Sequence, residues 1–565
     1  MTRPVAAAAD EATRYLAAAV HLDDQLAEDL IVEFLAEPRR AIPPAPGVRA
    51  EVVLREAVAA RLRRVIVSAA AIVLLGVLAA LALPLAVAWL AAGLAWRVSA
   101  ALVTFGAVRL LGDFGAPGRF PRWLHWILTF FLWGIVSGVL VTAALGTVEL
   151  TGANSAPAVE SEGLTAVAVL IQLTLLGILL TGELLRRNVV DRWYRFRNYI
   201  PGTPPRDSVV RACKPYADRL HRIAEQDERV AQYGPAELVV YRGHNPFVGA
   251  GLHLDKWSWS TTLELYPADP NAKATIPEFR PIELQDYITK DLMALKQTPT
   301  LTPGWRFGEL HVSHWALLAS AYLLHYPSAE PLLRQLESGA NPQLKPEDWA
   351  TLMDSSPEWL RYFRCYRVEA WERQLAVSTY LHVGCQQRTL VLEWQAFVLP
   401  PIDFAYRGAD VHRVPVLPEI WRALCEFALL PTTVPTRLGV LWRWVRDQLE
   451  FGDGPWESPT RAAYAFGSEY SVREIGAGDE FTSFFEVTDT ERYLQILRDR
   501  TFDAVRRFLA ERGLSTVGFD SAVTQINGAT YIYNSNVQAG NVGGVGNRGV
   551  MSSATMSSVN PGGTR

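Results

Sequence analysis

Four long apolar stretches between Val65 and Leu185 constrain this chain more than any other feature. The first, Val65 to Leu83, runs for nineteen residues without a charge. At about 1.5 Å per residue this is about 28 Å of helix, close to the thickness of a bilayer core. The other three stretches are Leu85 to Gly106, Trp123 to Gly146 and Leu164 to Leu185. The sequence therefore predicts a block of four transmembrane helices over residues 65–187.

Basic residues flank these stretches on one side only. Those that precede the first stretch or follow the fourth are Arg61, Arg63, Arg64, Arg186, Arg187 and Arg192, whereas the predicted outer loop Glu149 to Gly163 has none. Loops rich in arginine stay in the cytoplasm. We therefore expect a multi-pass plasma-membrane protein with both termini cytoplasmic and the lipid bilayer as its first partner.

The apolar stretches contain few ionisable groups, which argues against transport because ion pathways need such groups near the bilayer centre. Small residues lie four positions apart at Gly134 and Gly138, and again at Gly76 and Ala80. This spacing lets helix backbones approach closely. It fits packing within one four-helix unit and also self-association of two chains.

The composition excludes a general nucleic-acid-binding role, because the net charge is −4 and the pI is about 6.3. The four cysteines are widely spaced and include no CxxC pair. They indicate reduced thiols rather than a disulfide framework or a zinc module. Abundant alanine and scarce lysine are typical of a GC-rich bacterial genome.

Two further regions surround the apolar block. Residues 1–64 carry an amphipathic stripe that predicts a small helical region, and a second helix from Val48 to Arg64 would lead directly into the first pass. Residues 188–525 combine helices with alternating strands, of which Gln374 to Val383 and Arg388 to Leu399 form the clearest hairpin. Strands and helices here lack regular alternation, which predicts a cytoplasmic α+β domain around a mainly antiparallel sheet.

Catalytic motifs are sparse in that domain. Tyr241-Arg242-Gly243 and the later Ser258, Ser260, Thr261 and Thr262 resemble the arginine and Ser-Thr-Ser elements of ADP-ribosyltransferases. The resemblance implies that Arg242 grips dinucleotide phosphates, with Ser260 beside it, but the spacing is short and no ExE motif follows. A simpler interpretation is a buried strand pair whose arginine meets a carboxylate.

Other candidate sites have structural interpretations. The loop His244 to Gly251 lacks a Walker lysine and a GxGxxG pattern, so a turn is favoured over a ligand loop. Alternation around His311 and His314 favours a strand that points the two rings apart. We therefore predict no metal and no cofactor.

The tail, residues 526–565, is rich in Asn, Gly and Ser and carries little charge. It resembles the Asn/Gly-rich bacterial amyloid-signalling motifs, in Asn536-Val537-Gln538 with Gly540, and the resemblance implies templated stacking with a like sequence. Thr530 to Tyr533 is its most strand-prone part. A flexible tail, or one added strand followed by disorder, is the alternative.

The sequence thus favours a multi-pass membrane protein that anchors a cytoplasmic binding or scaffolding domain for an unidentified protein partner. A membrane-anchored enzyme built around Arg242 and Ser260 is the first alternative. A membrane effector triggered through the amyloid-like tail is the second. Self-association through the transmembrane helices or the tail stays open.

Overall fold

The structure is a computed structural model that describes residues 10–112, 158–233, 236–269, 278–297, 306–371, 373–410, 416–449, 466–478 and 481–536. The helices that precede the first strand are α1 (Glu11–Leu22), α2 (Asp24–Phe34), α3 (Ala50–Leu81), α4 (Leu83–Gly112), α5 (Ala158–Val189), α6 (Asp207–Ala212) and α7 (Ala217–Tyr233).

A curled mixed sheet of seven strands forms the centre of the remaining chain. Its strands are β1 (Ala236–Tyr241), β2 (Leu252–His253), β3 (Trp259–Glu264), β4 (Leu310–Ala319), β5 (Leu360–Ala370), β6 (Leu375–Gln386) and β7 (Thr389–Leu399). The order is β1-β4-β5-β6-β7-β2, and β3 also pairs with β7. β1 and β4 run parallel and the other pairs are antiparallel.

Further helices surround the sheet. They are α8 (Pro281–Ala294), α9 (Glu330–Glu337), α10 (Pro346–Asp354), α11 (Leu417–Ala428), α12 (Val434–Leu449), α13 (Val472–Ile475), α14 (Phe484–Glu511) and α15 (Val517–Asn536). The sequence expectation of an α+β region is confirmed at this level.

The predicted hairpin is present as β6 and β7. The strands pair from Ala376 with Leu399 to Gln386 with Thr389, so the turn is shorter than the expected Gly384 to Gln387. The inward-facing residues of both strands belong to one core, namely Leu375, Val377, Leu381, Val383, Leu390, Leu392, Trp394, Ala396 and Val398. The two-residue period of a strand places them on one face of the sheet.

Helices α8, α14 and α15 cover that face of the sheet. Ser483 caps α14 through the backbone N–H of Phe485. One sequence expectation is corrected here. Thr530 to Tyr533 lies in helix α15 rather than in a strand, while residues 537–565 lie outside the described part.

The N-terminal helices pack as a hairpin on the root of α3. Asp23 separates α1 from α2, and its carboxylate accepts the backbone N–H groups of Gln25 and Leu26. The buried stripe comprises Leu16, Val20, Leu26, Leu30, Phe34 and Leu35, and it packs on Val53, Leu54, Ile402 and Val472. Residues far apart in the chain therefore share one core.

Buried ion pairs fasten this hairpin to the sheet region. The Arg14 guanidinium contacts both carboxylate oxygens of Asp410, at 2.8 and 2.5 Å, and also Glu11 at 2.7 Å. Asp410 follows β7, so this pair joins the beginning of the chain to the end of the sheet.

Two helices in the described residues are long and apolar enough to cross a membrane, Ala50–Leu81 and Ala166–Tyr194. A third apolar helix, Leu83–Val98, is shorter. The structure thus shows two such helices instead of the expected four, and the predicted third pass, Trp123 to Gly146, lies outside the described residues. As expected, α3 continues from the N-terminal region into the first apolar stretch without a break and ends beside Pro84.

Candidate functional site: a charged cleft beside a helical hairpin

Helices α11 and α12 form a hairpin that leaves the sheet region and packs along α3, α4 and α5. The connecting residues Leu430–Thr433 form a 3₁₀ turn, and Pro431 and Pro435 limit helix continuation there. The sequence did not indicate that this hairpin packs against the apolar helices.

Ion pairs hold α11 alongside α5. Arg187 contacts Glu419 at 2.7 Å, and one turn further on Glu183 lies 3.7 Å from Arg422 and 2.9 Å from Arg186. Since the partners fall in the order 419 with 187 and 422 with 183, α11 and α5 run antiparallel.

The tip of the hairpin reaches the apolar part of α3, α4 and α5. Leu430 is 1% exposed and belongs to one cluster with Ala71, Leu78, Ile171, Leu175 and Leu179. From Glu419 to Leu430 the chain advances about 16 Å at about 1.5 Å per residue. The hairpin therefore extends well along the apolar helices.

Aromatic and small side chains complete the contact with α4. The rings of Trp89 and Phe427 lie 4.7 Å apart, and the Trp89 indole N–H donates to the carbonyl of Ala428 at 3.2 Å. A Cβ on Gly93 would lie 2.8 Å from Thr432 Cγ2. A larger residue at position 93 would require Thr432 to shift, so glycine favours this close approach of the hairpin to α4.

The returning helix α12 is fastened to the root of α3. Arg61, which is buried, contacts Asp447 at 2.6 Å and Glu28 of α2 at 3.4 Å. Arg437 contacts Glu426 across the hairpin at 2.5 Å. The pair with Asp447 holds the end of α12 against α3, and the pair with Glu426 joins the two helices of the hairpin.

A cleft of about 630 Å³ lies between α2, α3, α5 and α12. Five carboxylates and five arginines line it, namely Asp24, Glu28, Asp29, Glu183, Glu426, Arg63, Arg64, Arg186, Arg437 and Arg443. The formal charges of these side chains cancel, so the cleft has no preference for ions of one sign. The ion pairs of these side chains hold the α11–α12 hairpin in place.

The face of the hairpin that points away from the cleft is apolar and exposed. On α11 it carries Leu417, Ile420, Trp421 and Leu424, at the spacing of one helical face, and on α12 it carries Leu438 and Trp442. Leu417 is 70% exposed and Trp442 is 67% exposed. The hairpin thus continues the apolar surface of α3, α4 and α5.

The structure does not bring together Arg242 and Ser260. Arg242 follows β1 and contacts Glu33 of α2 at 2.6 Å and Glu469 at 3.3 Å. Ser260 lies in β3, opposite Glu393 of β7. Four strands separate β1 from β3 in the sheet, so the geometry favours the simpler interpretation of an arginine that meets a carboxylate.

The loop His244 to Gly251 is a turn that packs against other segments of the same chain. Gly249 lies against the carbonyl of Pro44, and the backbone N–H of Gly251 donates to Glu474 at 2.8 Å. Burial raises the pKa of Glu474. The loop is therefore packed closely by other segments rather than open to a ligand.

The candidate helix-packing glycines have different positions. A Cβ on Gly76 would meet no atom within 4 Å, so the described residues place no close helix contact there. Gly134 and Gly138 lie outside the described residues. The close contact between α3 and α5 occurs at Gly182, where a Cβ would lie 3.3 Å from Val67.

The two histidines of β4 point apart, as the alternation predicts. His314 accepts from or donates to the Tyr362 hydroxyl at 2.7 Å, whereas His311 lies 3.5 Å from Glu309 on the exposed face. Within the described ranges no group of three potential ligands could hold a metal ion.

Sequence reasoning identified Arg63, Arg64 and Arg186 of the cleft as flanking arginines, but it missed the residues that α11 and α12 contribute, because these helices follow the sheet in the chain. Glu426 and Arg437 lie far from the apolar stretches in sequence and reach them only in the folded chain. The clue was the segment from Val416 to Leu449, where apolar helical faces alternate with isolated charges.

One family model, described as an AbeC-like domain, matches residues 258–545, just over half of the chain. The match includes strands β3 to β7, the helices that cover them and the α11–α12 hairpin, but it excludes α1 to α7. No curated protein and no solved structure matches the chain significantly.

Proposed function

The chain belongs to the AbeC-like domain family, and we propose that it is a multi-pass membrane protein that holds its α+β region at the cytoplasmic face to bind a protein partner. The observation that carries the proposal is the extended apolar surface of α3, α4, α5 and the hairpin. The family match shows which family the chain belongs to, but it indicates no biochemical activity.

That surface is too apolar for exposure to water. Its exposed large side chains include Ile66, Val73, Val77, Leu83, Val87, Leu94, Val98, Val167, Val169, Leu170 and Leu173. Soluble monomers rarely expose contiguous apolar patches larger than a few hundred Å². Lipid contact accounts for this surface, and the two longer helices satisfy the length requirement.

Arginines at the roots of α3 and α5 support a cytoplasmic position for the sheet region. An even number of passes over residues 65–187 would keep both ends of the block on that side. The α11–α12 hairpin then enters the bilayer from the cytoplasm and turns back. Its reach of about 16 Å is about half of a hydrocarbon core of about 30 Å.

Carbonate extraction of membranes from expressing cells tests the anchor. We expect the full chain to stay in the membrane pellet. A membrane-impermeant maleimide tests the orientation, with the wild-type cysteines as the background. In intact cells Ser161→Cys adds labelling whereas Ser338→Cys, in the sheet region, adds labelling only after lysis. Release by carbonate, or the opposite labelling pattern, contradicts the proposal.

A matched pair of substitutions tests whether the hairpin contacts lipid. Leu438 on α12 and Leu324 after β4 are 49% and 44% exposed. In water both changes to Asp are nearly neutral, but at mid-bilayer a carboxylate costs about 2.5–3.5 kcal/mol. We expect Leu438→Asp to lower the thermal midpoint in nanodiscs and Leu324→Asp to leave it unchanged. Equal midpoints place Leu438 outside the lipid.

The binding role is supported by an exposed aromatic surface at the end of β4. Tyr322 and Tyr326 pack edge to face with ring centroids 5.7 Å apart, and Tyr326 stacks on Trp359 at 5.6 Å. Exposed tyrosines are frequent in protein interfaces, where their rigid rings give large contact area.

Chemical crosslinking in native membranes tests that role. We expect the double variant Tyr322→Ala, Tyr326→Ala to lose a protein that the wild-type chain captures. The control Phe404→Ala removes an exposed ring elsewhere in the sheet region and retains the capture. Identical captured proteins for all three chains remove support for this surface.

A further inference from the structure

A second cavity, of about 770 Å³, adjoins the charged cleft along the seam of α3 and α5, and the two share the lining residues Arg63, Val67 and Gly182. It follows the seam between α3 and α5 from Thr174 and Gly177 to the segment around α6. Its polar lining consists of His21, Arg63, Thr174, Thr181, Arg206 and Ser208. In the described part of the chain it has two arginines and no carboxylate, unlike the cleft beside the hairpin.

One of these arginines, Arg63, forms no direct ion pair with a carboxylate among the described residues. The neighbouring arginines Arg61, Arg64, Arg186, Arg187 and Arg206 each pair with an acidic side chain. Arg63 instead contacts His21 Nδ1 at 3.2 Å. Since an arginine always donates, Nδ1 accepts, and His21 Nε2 donates to Glu56 at 2.8 Å.

The charge of this network is positive. Burial lowers the pKa of His21, which is therefore neutral, and Glu56 also binds Arg206. Asp24, the carboxylate that attracts Arg63 electrostatically, is already paired with Arg64 at 3.2 Å, so two carboxylates face three guanidinium groups. A half-buried cation is stabilised by an anion in contact with it, because desolvation disfavours an unpaired charge.

The rest of the cavity is apolar. The hydroxyls of Thr174 and Thr181 donate to carbonyls of their own helix, of Leu170 at 2.8 Å and Gly177 at 2.7 Å. Ile66 and Leu185, both exposed, lie among its lining residues. A soluble phosphate would leave this apolar wall uncovered, whereas acyl chains would cover it.

We propose that this cavity binds an anionic phospholipid, with its phosphate at Arg63 and Arg206 and its acyl chains along the seam of α3 and α5. The inference rests on the proposed membrane location. Basic pockets between transmembrane helices at the cytoplasmic side bind such headgroups. The lipid would couple the anchor to the N-terminal hairpin through His21 and Glu56.

Native mass spectrometry tests the site on the full chain extracted from bilayers of equal phosphatidylglycerol and phosphatidylcholine. We expect preferential retention of phosphatidylglycerol by the wild type. Removal of one cationic contact, worth about 1 kcal/mol, lowers that preference about fivefold in Arg63→Gln. The control Arg192→Gln removes an exposed arginine nearby and leaves the preference unchanged.

A second pair of variants changes no charge, and it tests the lipid site even if Arg63→Gln misfolds. Gly177 lines the cavity and Gly76 does not, yet a Cβ at either position meets no atom within 4 Å. We expect Gly177→Leu to fill the cavity and abolish retention, whereas Gly76→Leu retains the lipid.

The outcomes separate this inference from the anchor. No preference in the wild type, or equal losses in a variant and its control, overturns the lipid site while carbonate-resistant membrane association still supports the anchor. Displacement of phosphatidylglycerol by inorganic phosphate assigns the arginines to a free anion and also overturns it. Release of the chain by carbonate overturns both proposals.

Discussion

Gly251 provides the most direct test of how the N-terminal part of the sheet region is packed. Its φ is +92°, and a Cβ there would lie 2.3 Å from the carbonyl oxygen of Val398 and 2.8 Å from Leu399 Cα. Both atoms belong to the backbone of β7, which cannot move aside as a flexible side chain can. Gly251→Ala is therefore expected to destabilise the fold.

The expected magnitude has three parts. A side chain at such a φ costs about 1–3 kcal/mol. Overpacking against β7 adds about 1–3 kcal/mol. Any shift of the loop also weakens the hydrogen bond from Gly251 to the buried Glu474, and hydrogen bonds to charged groups contribute about 1.5–3 kcal/mol. Because the hydrogen bond is weakened rather than broken, the first two contributions dominate, and we expect a total loss of roughly 2–6 kcal/mol.

Gly243→Ala is the matched control at the start of the same loop. Its φ is +83°, but no atom lies within 4 Å of its Cβ position. Both variants gain the same small benefit from a stiffer unfolded chain. The difference between them therefore reports the close contact with β7, which we expect to be at least about 2 kcal/mol.

Thermal unfolding of the full chain, followed by tryptophan fluorescence, measures this difference. At about 2–4 °C per kcal/mol, Gly251→Ala should melt roughly 4–8 °C below Gly243→Ala. Equal midpoints for the two variants would refute the assigned contact between the loop and β7. The comparison does not depend on the membrane proposal.

Three further expectations follow from buried contacts. Arg14→Met leaves the partly buried Asp410 without its cation, and we expect a loss of about 3–5 kcal/mol, measured as a lower denaturation midpoint. Leu430→Ala empties part of a packed cluster and should cost about 2–5 kcal/mol, whereas Leu438→Ala on the exposed face should cost much less in the same melt. Burial, followed by the positive charge nearby, lowers the pKa of His314 from 6.5 to about 4, so protons bind the unfolded chain more tightly. His314 therefore causes no loss of folding stability above about pH 6.5, and its contribution lowers the free energy of unfolding as the pH drops toward about 4. His314→Asn should flatten this pH dependence in melts recorded across the range.

Local patterns were enough to predict several elements. The alternation in β6 and β7 specified which side chains face the core, because successive residues of a strand point to opposite faces. The continuity of α3 from the N-terminal region into the first apolar stretch also followed from the sequence. Each of these features depends on residues that are neighbours in the chain.

The candidate site could not be predicted in the same way. Leu430 packs against Ala71 and Leu175, and Asp447 pairs with Arg61. Such contacts join segments hundreds of residues apart, so no local period records them. The apolar stretches themselves contain few ionisable groups, but α11 and α12 bring Glu426 and Arg437 beside them in the folded chain.

The sequence by itself determined the apolar helices, the principal β-hairpin and the positions of the flanking arginines, since composition and periodicity specify burial and local conformation. The tertiary structure decided where the α11–α12 hairpin lies, which carboxylates meet Arg14 and Arg242, and that Arg63 forms no direct ion pair with a carboxylate among the described residues. These outcomes depend on which charges and surfaces meet when distant segments pack. Because these charges are buried, each ion pair, or the lack of one, has a large effect on the free energy of folding.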